Sequence, residues 1–280
     1  MFNVTAGTGA SGIAYQLGQN NRNLQRSLER LSTMRRINSP ADDPGGLAVS
    51  TRLGASLRRT EAALTQINST QSFLQTQDGV MEVASRVLIR MDELASIASS
   101  GIVDSNAASL YSAEFTGLQS YLGSLLSEEF NGMNLFMDSG TTTPSSTTNP
   151  ATVSLTGQTI GISTLDLGSV DNLIGAGSGV TIADTTAAAA ASVAISSAIN
   201  NLATLRATNG SEQSRVGFAS ELLATNKLNL EAANSRIVDL DFASELVNYT
   251  RFGILDQQNV ALMAQANMRA ERTFQLLFMN

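Results

Sequence analysis

Three pairs of neighbouring carboxylates are the residues best placed to do chemistry: Asp42/Asp43, Glu128/Glu129 and Asp239/Asp241. Two carboxylates held close together can divide acid and base roles, or share a hard cation through their oxygens. Each pair, however, falls at the end of a helical pattern. An aspartate at a helix start satisfies free backbone amides and faces the favourable end of the helix dipole. That accounts for Asp43 and Asp241 without catalysis. Glu128 and Glu129 lie at a helix C-terminus, gain nothing from the dipole and read as a solvated face. The chain has no histidine, cysteine or tryptophan, so thiol nucleophiles, imidazole bases and the usual zinc ligands are missing together. The expectation is a protein without catalytic, cofactor-binding or metal-binding residues.

Two further motifs dissolve in context. Gly7-Thr8-Gly9-Ala10-Ser11-Gly12 matches the dinucleotide-binding pattern, and Glu29 stands at the spacing of a ribose-binding acid. That pattern needs a strand before it and a second strand after its helix. Here a helical stretch over 23–34, striped by Leu24, Leu28 and Leu31, leads into a Pro/Asp-rich turn instead. Asn-x-Ser/Thr triplets at Asn3, Asn68, Asn209 and Asn248 read as chance where no secretory signal is visible.

Composition narrows the partners. The net charge is −7 and Lys227 is the single lysine, which argues against a nucleic-acid binder, because phosphate contacts need a basic face. It argues equally against a helix lying on anionic lipid. No stretch reads as the ~18 apolar residues of a membrane span. The first positive side chain is Arg22, so no basic start precedes a hydrophobic run and no cleavable signal is visible. The protein is expected in the cytoplasm, or outside the cell by a route that removes nothing.

The elements that position these residues are long. The turn over 37–46 opens a helix running from residue 44 to about 99, with Asp43 capping its first amides and Pro44 at its first helical position. Ile67, Leu74, Met81 and Leu88 recur every seven residues, flanked by a second row of Phe73, Val80, Val87 and Leu94. Such spacing keeps an apolar seam facing a partner helix over many turns. Ser105 is placed to cap a third helix, striped by Tyr111, Phe115, Leu118, Leu122 and Leu125 and stopping at Phe130-Asn131-Gly132. Residues 139–150 form a polar, hydroxyl-rich loop open to O-linked sugar. Val153 and Leu155, then Ile160 and Ile162, alternate as a small β-hairpin, and 175–179 is a glycine-rich linker. From about Asp184 one heptad row runs through Ile195, Leu202, Asn209, Val216, Leu223, Leu230 and Ile237. It crosses Asn209-Gly210 without losing phase, so one continuous helix is expected. A joint at Val238-Asp239-Leu240-Asp241 precedes the last helix. The fold class is mainly α: a long antiparallel coiled-coil bundle built from the N- and C-terminal halves, with a small β-hairpin region.

Several segments together resemble one family. Leu28-Glu29-Arg30-Leu31-Ser32, the turn over 37–46 with Leu47-Ala48-Val49, and Phe130-Asn131-Gly132-Met133-Asn134-Leu135 carry the first half. Ser235-Arg236-Ile237-Val238-Asp239-Leu240-Asp241-Phe242-Ala243, Gln257-Gln258 and Ala264-Gln265-Ala266-Asn267 carry the second. In this order they are similar to the N- and C-terminal halves of bacterial flagellin, the subunit of the flagellar filament. The resemblance implies a short member without the large outer domains. It divides the chain into 1–43 and 241–280 for an inner rod, and 44–180 and 181–240 for an outer helical domain. Ile37, Asn38, Asp42, Asp43, Pro44, Asp239 and Asp241 fall in the spoke between them. The implied function is a structural subunit that polymerises for motility, its thin-striped ends folding on assembly.

Implied partners are further copies of the chain, a flagellar export chaperone, a cap protein and an animal Toll-like receptor. Arg90, Leu94 and Glu114 match the receptor-recognised positions; the plain alternative is that Leu94 is core and Arg90 a helix-face charge. Two other readings stand beside the filament subunit. One is the hook–filament junction protein of the same family, which shares both ends. The other is a cytoplasmic coiled-coil adaptor, which would fit the heptads alone.

Overall fold

A computed structural model describes residues 4–136, 153–155, 158–162 and 165–278. Among these residues the order is α1 (Val4–Thr33), α2 (Pro44–Ser99), α3 (Ser105–Leu125), β1 (Glu129–Phe130), β2 (Met133–Asn134), β3 (Val153–Leu155), β4 (Gln158–Ile160), α4 (Gly168–Ile174), α5 (Thr185–Val238) and α6 (Phe242–Phe278). The expected sugar-bearing loop, 139–150, lies outside the described residues. Two compact units are present: Arg59–Lys227, and the segments Met1–Arg58 and Leu228–Asn280 together.

In the unit Arg59–Lys227 the heptad rows do what their spacing requires. Ile67, Leu74, Met81 and Leu88 are fully buried, as is Leu94 of the companion row, where Phe73 and Val87 are buried and Val80 half-buried. Across from them α5 buries Ile195, Leu202, Val216 and Leu223. The pairs Glu61–Lys227, Asp78–Arg206 and Asp92–Ser192 show that α2 and α5 run antiparallel. The third side is α3, which contributes Phe115, Leu122 and Leu125. An 18-residue stretch of α5 is long and apolar enough, by composition, to cross a membrane, contrary to the expectation of none. Its alanines supply that character. Ala188, Ala191, Ile195, Ala198 and Leu202 spend one face of it in the core.

Three local expectations differ from the fold and one is met. The chain around Phe130-Asn131-Gly132 is more than a helix stop. α3 ends at Leu125, and a hairpin follows with Phe130 paired to Met133. Asn131 (φ 53°) and Gly132 (φ 76°) form its turn, the left-handed pair that Asn-Gly favours in two-residue hairpins. Phe130 then meets Phe73 edge-on, ring centres 5.9 Å apart. The linker at 175–179 is preceded by α4, which buries Val170 and Ile174. Gln119 on α3 fixes this passage by donating to the carbonyls of Ile174 and Val180, both at 2.9 Å. The cap of α3 is Asp104, whose side chain accepts from the Asn106 amide, rather than Ser105. The expected hairpin at 153–162 is present as β3–β4, with Val153 opposite Ile160.

In the other unit α1 packs along α6. α1 starts at Val4, far ahead of the expected Asn23, and carries its glycines within the helix. Gly12 and Gly18 are not needed for close approach, since a Cβ there would meet nothing within 4 Å. Their helical state is a case of packing overriding a propensity penalty of about 1 kcal/mol per glycine. α1 stops at Met34, whose φ of 55° is the left-handed ending typical of helix C-termini.

Candidate functional site

The sequence-predicted spoke residues meet around one backbone crossing. Arg35 and Asp239 form an antiparallel bridge. The Arg36 amide donates to the Val238 carbonyl at 2.7 Å, and the Leu240 amide to that of Met34 at 3.2 Å. The Arg36 guanidinium adds a bond to the Ile237 carbonyl at 2.8 Å. The chain leaving α1 and the chain joining α5 to α6 are thus stitched by their own peptide groups, leaving Ile37 and Val238 buried.

Each aspartate here has a structural task. Asp43 caps α2, accepting from the Gly46 amide at 2.8 Å with Pro44 beside it as the first helical residue. The Asp43 carboxylate and the buried Ile37 side chain leave no room for a Cβ at Gly46. Asp241 caps α6 through the Ser244 amide at 3.2 Å, and Asp239 accepts from the Ser235 hydroxyl. Asp42 folds back over the turn: its Oδ2 accepts from the Asn38 and Ser39 amides and the Ser39 hydroxyl. Its Oδ1 lies 3.7 Å from Arg26 and 3.9 Å from Arg30. Burial alone raises the Asp42 pKa, but those amide bonds, the hydroxyl and Arg30 outweigh it and hold the carboxyl below its ordinary value. Asn38 accepts from the Thr33 hydroxyl at 2.9 Å. Glu128 and Glu129 are exposed on the β1 strand and its approach.

The bundle seam is met in full at Ile67, Leu74, Met81, Leu88 and Leu223, whereas Leu230 and Ile237 are only half-buried. Sequence reasoning missed a polar chain crossing that seam. Gln213 donates to Asn209 Oδ1 at 2.6 Å, and Asn209 Nδ2 donates to Gln77 Oε1 at 2.9 Å. Gln77 Nε2 completes the run by donating to the Leu135 carbonyl at 2.6 Å. Asn209 was visible as the polar member of an apolar row; Gln77 stands outside both α2 rows and gave no signal.

Arg90 and Glu114 are joined across α2 and α3 at 2.8 Å, with Glu93 at 2.9 Å on the other side of the guanidinium. Both acids hold the Arg90 pKa above its ordinary value. Leu94, four residues on from Arg90, is fully buried, so it belongs to the core and not to this exposed surface.

The α1/α6 unit stands out by the apolar side chains it leaves uncovered. Phe242, Leu246, Val247, Ile254, Leu255, Val260 and Leu262 on α6, with Tyr15 and Leu28 on α1, are all exposed. Large apolar side chains left in water in this number are available to a partner's surface.

Comparison with known proteins agrees with the elements. Residues 10–141 match the family described as the bacterial flagellin N-terminal helical region, and residues 193–277 its C-terminal helical region. The chain is 32% identical over 271 residues to a flagellar filament 30.7 kDa core protein of Treponema maltophilum, covering 93% of this chain and 94% of that one. It is 30% identical to a Bacillus subtilis flagellin, covering 94% and 95%. With a flagellin of Listeria innocua the identity is 28%, covering 93% and 94%.

Proposed function

This chain belongs to the bacterial flagellin family, and we propose on that footing how it acts as a subunit of the flagellar filament. The filament is an extracellular appendage, and the chain spans its relatives' lengths almost completely, as a flagellin without large outer domains. The observation that carries the mechanism is the set of large apolar side chains left exposed on α1 and α6. A chain that leaves Leu246, Ile254, Leu255 and Leu262 in water gains by covering them with copies of itself. Head-to-tail contacts that do not close generate an open helical polymer.

In this reading 1–43 and 241–280 build the inner rod, and 44–180 with 181–240 the outer helical domain. The stitched crossing at Arg36 and Val238, with Asp43 and Asp241 as caps and Asp42 closing the turn, is the joint of the chain between these segments. The ends gain most of their order on assembly, because isolated helices are marginal without packing. An export chaperone covers the same apolar side chains before assembly, and a cap protein guides incorporation at the tip. The carboxylate pairs serve as caps and solvated charge, not as catalysts. Arg90 and Glu114, exposed and joined to each other, form the surface offered to a Toll-like receptor, while Leu94 stays in the core.

Electron microscopy of the purified chain, seeded with filament fragments, tests this function. Growth of regular filaments from the seeds is expected. Amorphous aggregate, or a population that stays monomeric at every concentration, would overturn it. A copy number per flagellum near that of the main filament subunit separates it from the junction protein.

A further inference from the structure

The sequence holds two Asn-Gly dipeptides, Asn131-Gly132 and Asn209-Gly210, and the fold treats them in opposite ways. Asn209 is fully buried inside α5. Its side-chain amide is held at both ends: Nδ2 donates to Gln77 Oε1 and to the Leu74 carbonyl, and Oδ1 accepts from Gln213. The Gly210 nitrogen belongs to a continuous helix. Asn131 and Gly132 instead form the exposed turn of a hairpin whose strands are two residues each. A hairpin this short opens locally at small cost, and Gly132 carries no Cβ to shield the Asn131 amide carbon.

We propose that Asn131 is a site of spontaneous conversion to aspartate and isoaspartate, and that the buried amide chain protects Asn209 from the same chemistry. The Gly132 backbone nitrogen gives up its proton to solvent base and attacks Cγ of Asn131. A Cγ–N bond forms, the Cγ–Nδ2 bond breaks, and Nδ2 leaves as ammonia after taking a proton from solvent. The product is a cyclic imide. Water then opens it: attack at Cγ returns a normal aspartyl link, and attack at the Asn131 backbone carbonyl leaves Gly132 joined through Cγ. No oxidant or enzyme is required. The isoaspartyl product lengthens the main chain by one methylene inside a two-residue turn. It also sets a new carboxylate beside Glu128 and Glu129. Both effects act against the Phe130–Met133 pairing, so the hairpin records the age of the subunit.

Peptide mapping by mass spectrometry, with isoaspartate detection, tests this on the full chain incubated folded at mildly alkaline pH. The same chain in denaturant gives the intrinsic rate at each site. In the folded chain, conversion at Asn131 is expected to exceed that at Asn209 by at least about tenfold, because Asn209 must wait for α5 to open. In denaturant the two rates converge. Asn131→Gln should abolish the signal from its peptide and leave that of Asn209 unchanged. Equal conversion of both sites in the folded chain would overturn the proposal. So would an Asn131 that stays intact over the time in which the denatured chain converts.

Discussion

Asn209 Nδ2 donates to Gln77 Oε1 at 2.9 Å in the middle of the α2–α5 seam, one turn from Leu74 and Met81. A buried amide pair of this kind is weak as a source of stability and strong as a specification, because any other arrangement leaves its groups unpaired. Removing one partner should therefore cost more than removing both. Asn209→Leu alone strands Gln77 Oε1 and should lower stability by about 1–3 kcal/mol. In Gln77→Leu/Asn209→Leu the stability should recover part of that loss, although the Leu135 carbonyl loses its donor and Gln213 its Asn209 acceptor. Urea denaturation of the two single variants and the double variant measures the coupling; additive losses would mean the pair does not act as a unit.

The same seam separates core from surface within one helix. Met81 is fully buried and Ile89, eight residues on, is half exposed at 51%. Met81→Ala should cost about 2–5 kcal/mol through lost burial and the cavity left behind. Ile89→Ala should stay within about 0.5 kcal/mol, as surface changes do. Similar melting shifts for the two variants would contradict the placement of α2.

These rows were the legible part of the fold. Ile67, Leu74, Met81 and Leu88 announce themselves because a seven-residue period survives any local noise. The Asp43-Pro44 start of α2 is equally plain, since cap and first helical residue each have one good role. Other features are decided by forces that no local pattern carries. α4 is too short to show a period. Gly12 and Gly18 are helical only because α1 packs along α6. Asp104 and Ser105 are both good caps, and the backbone chose the earlier one. The Asn131-Gly132 turn was legible by its chemistry but was read only as a helix stop. At the spoke, the caps could be anticipated from Asp43 and Asp241; the stitching of Arg36 to Val238 could not, because peptide groups leave no trace in side-chain identity.

Asp42 should report on acid. Its carboxyl is held below the ordinary value by the Asn38 and Ser39 amides, the Ser39 hydroxyl and Arg30, against burial that raises it. A group whose folded pKa is depressed adds stability above its unfolded pKa and loses it as pH falls through the folded one. The loss from this turn is therefore expected in the acid range, from just above the ordinary carboxyl value of 3.8 downward. Asp42→Asn should be less stable at neutral pH and flatter in acid. Thermal melts between neutral and strongly acidic pH check the sign; a wild type no more acid-sensitive than the variant would refute it.

Arg90→Ala and Glu114→Ala remove either side of an exposed ion pair. Exposed pairs contribute little to stability, so both variants should melt as wild type does. In receptor-expressing cells the dissociated monomer should activate signalling, and each variant should weaken it. A wild-type monomer that is silent at all concentrations would leave the pair with a structural role only.

If the apolar side chains exposed on α1 and α6 drive polymerisation, Ile254 tests it most directly. Its side chain is 66% exposed in the single chain, so a carboxylate there meets no buried neighbour until a second copy arrives. Seeded assembly followed by sedimentation and electron microscopy, run on wild type and Ile254→Asp in parallel, is the measurement. Wild type should elongate the seeds, whereas Ile254→Asp should remain in the supernatant with the monomer's melting temperature unchanged. Filaments of equal yield from both chains would contradict the claim.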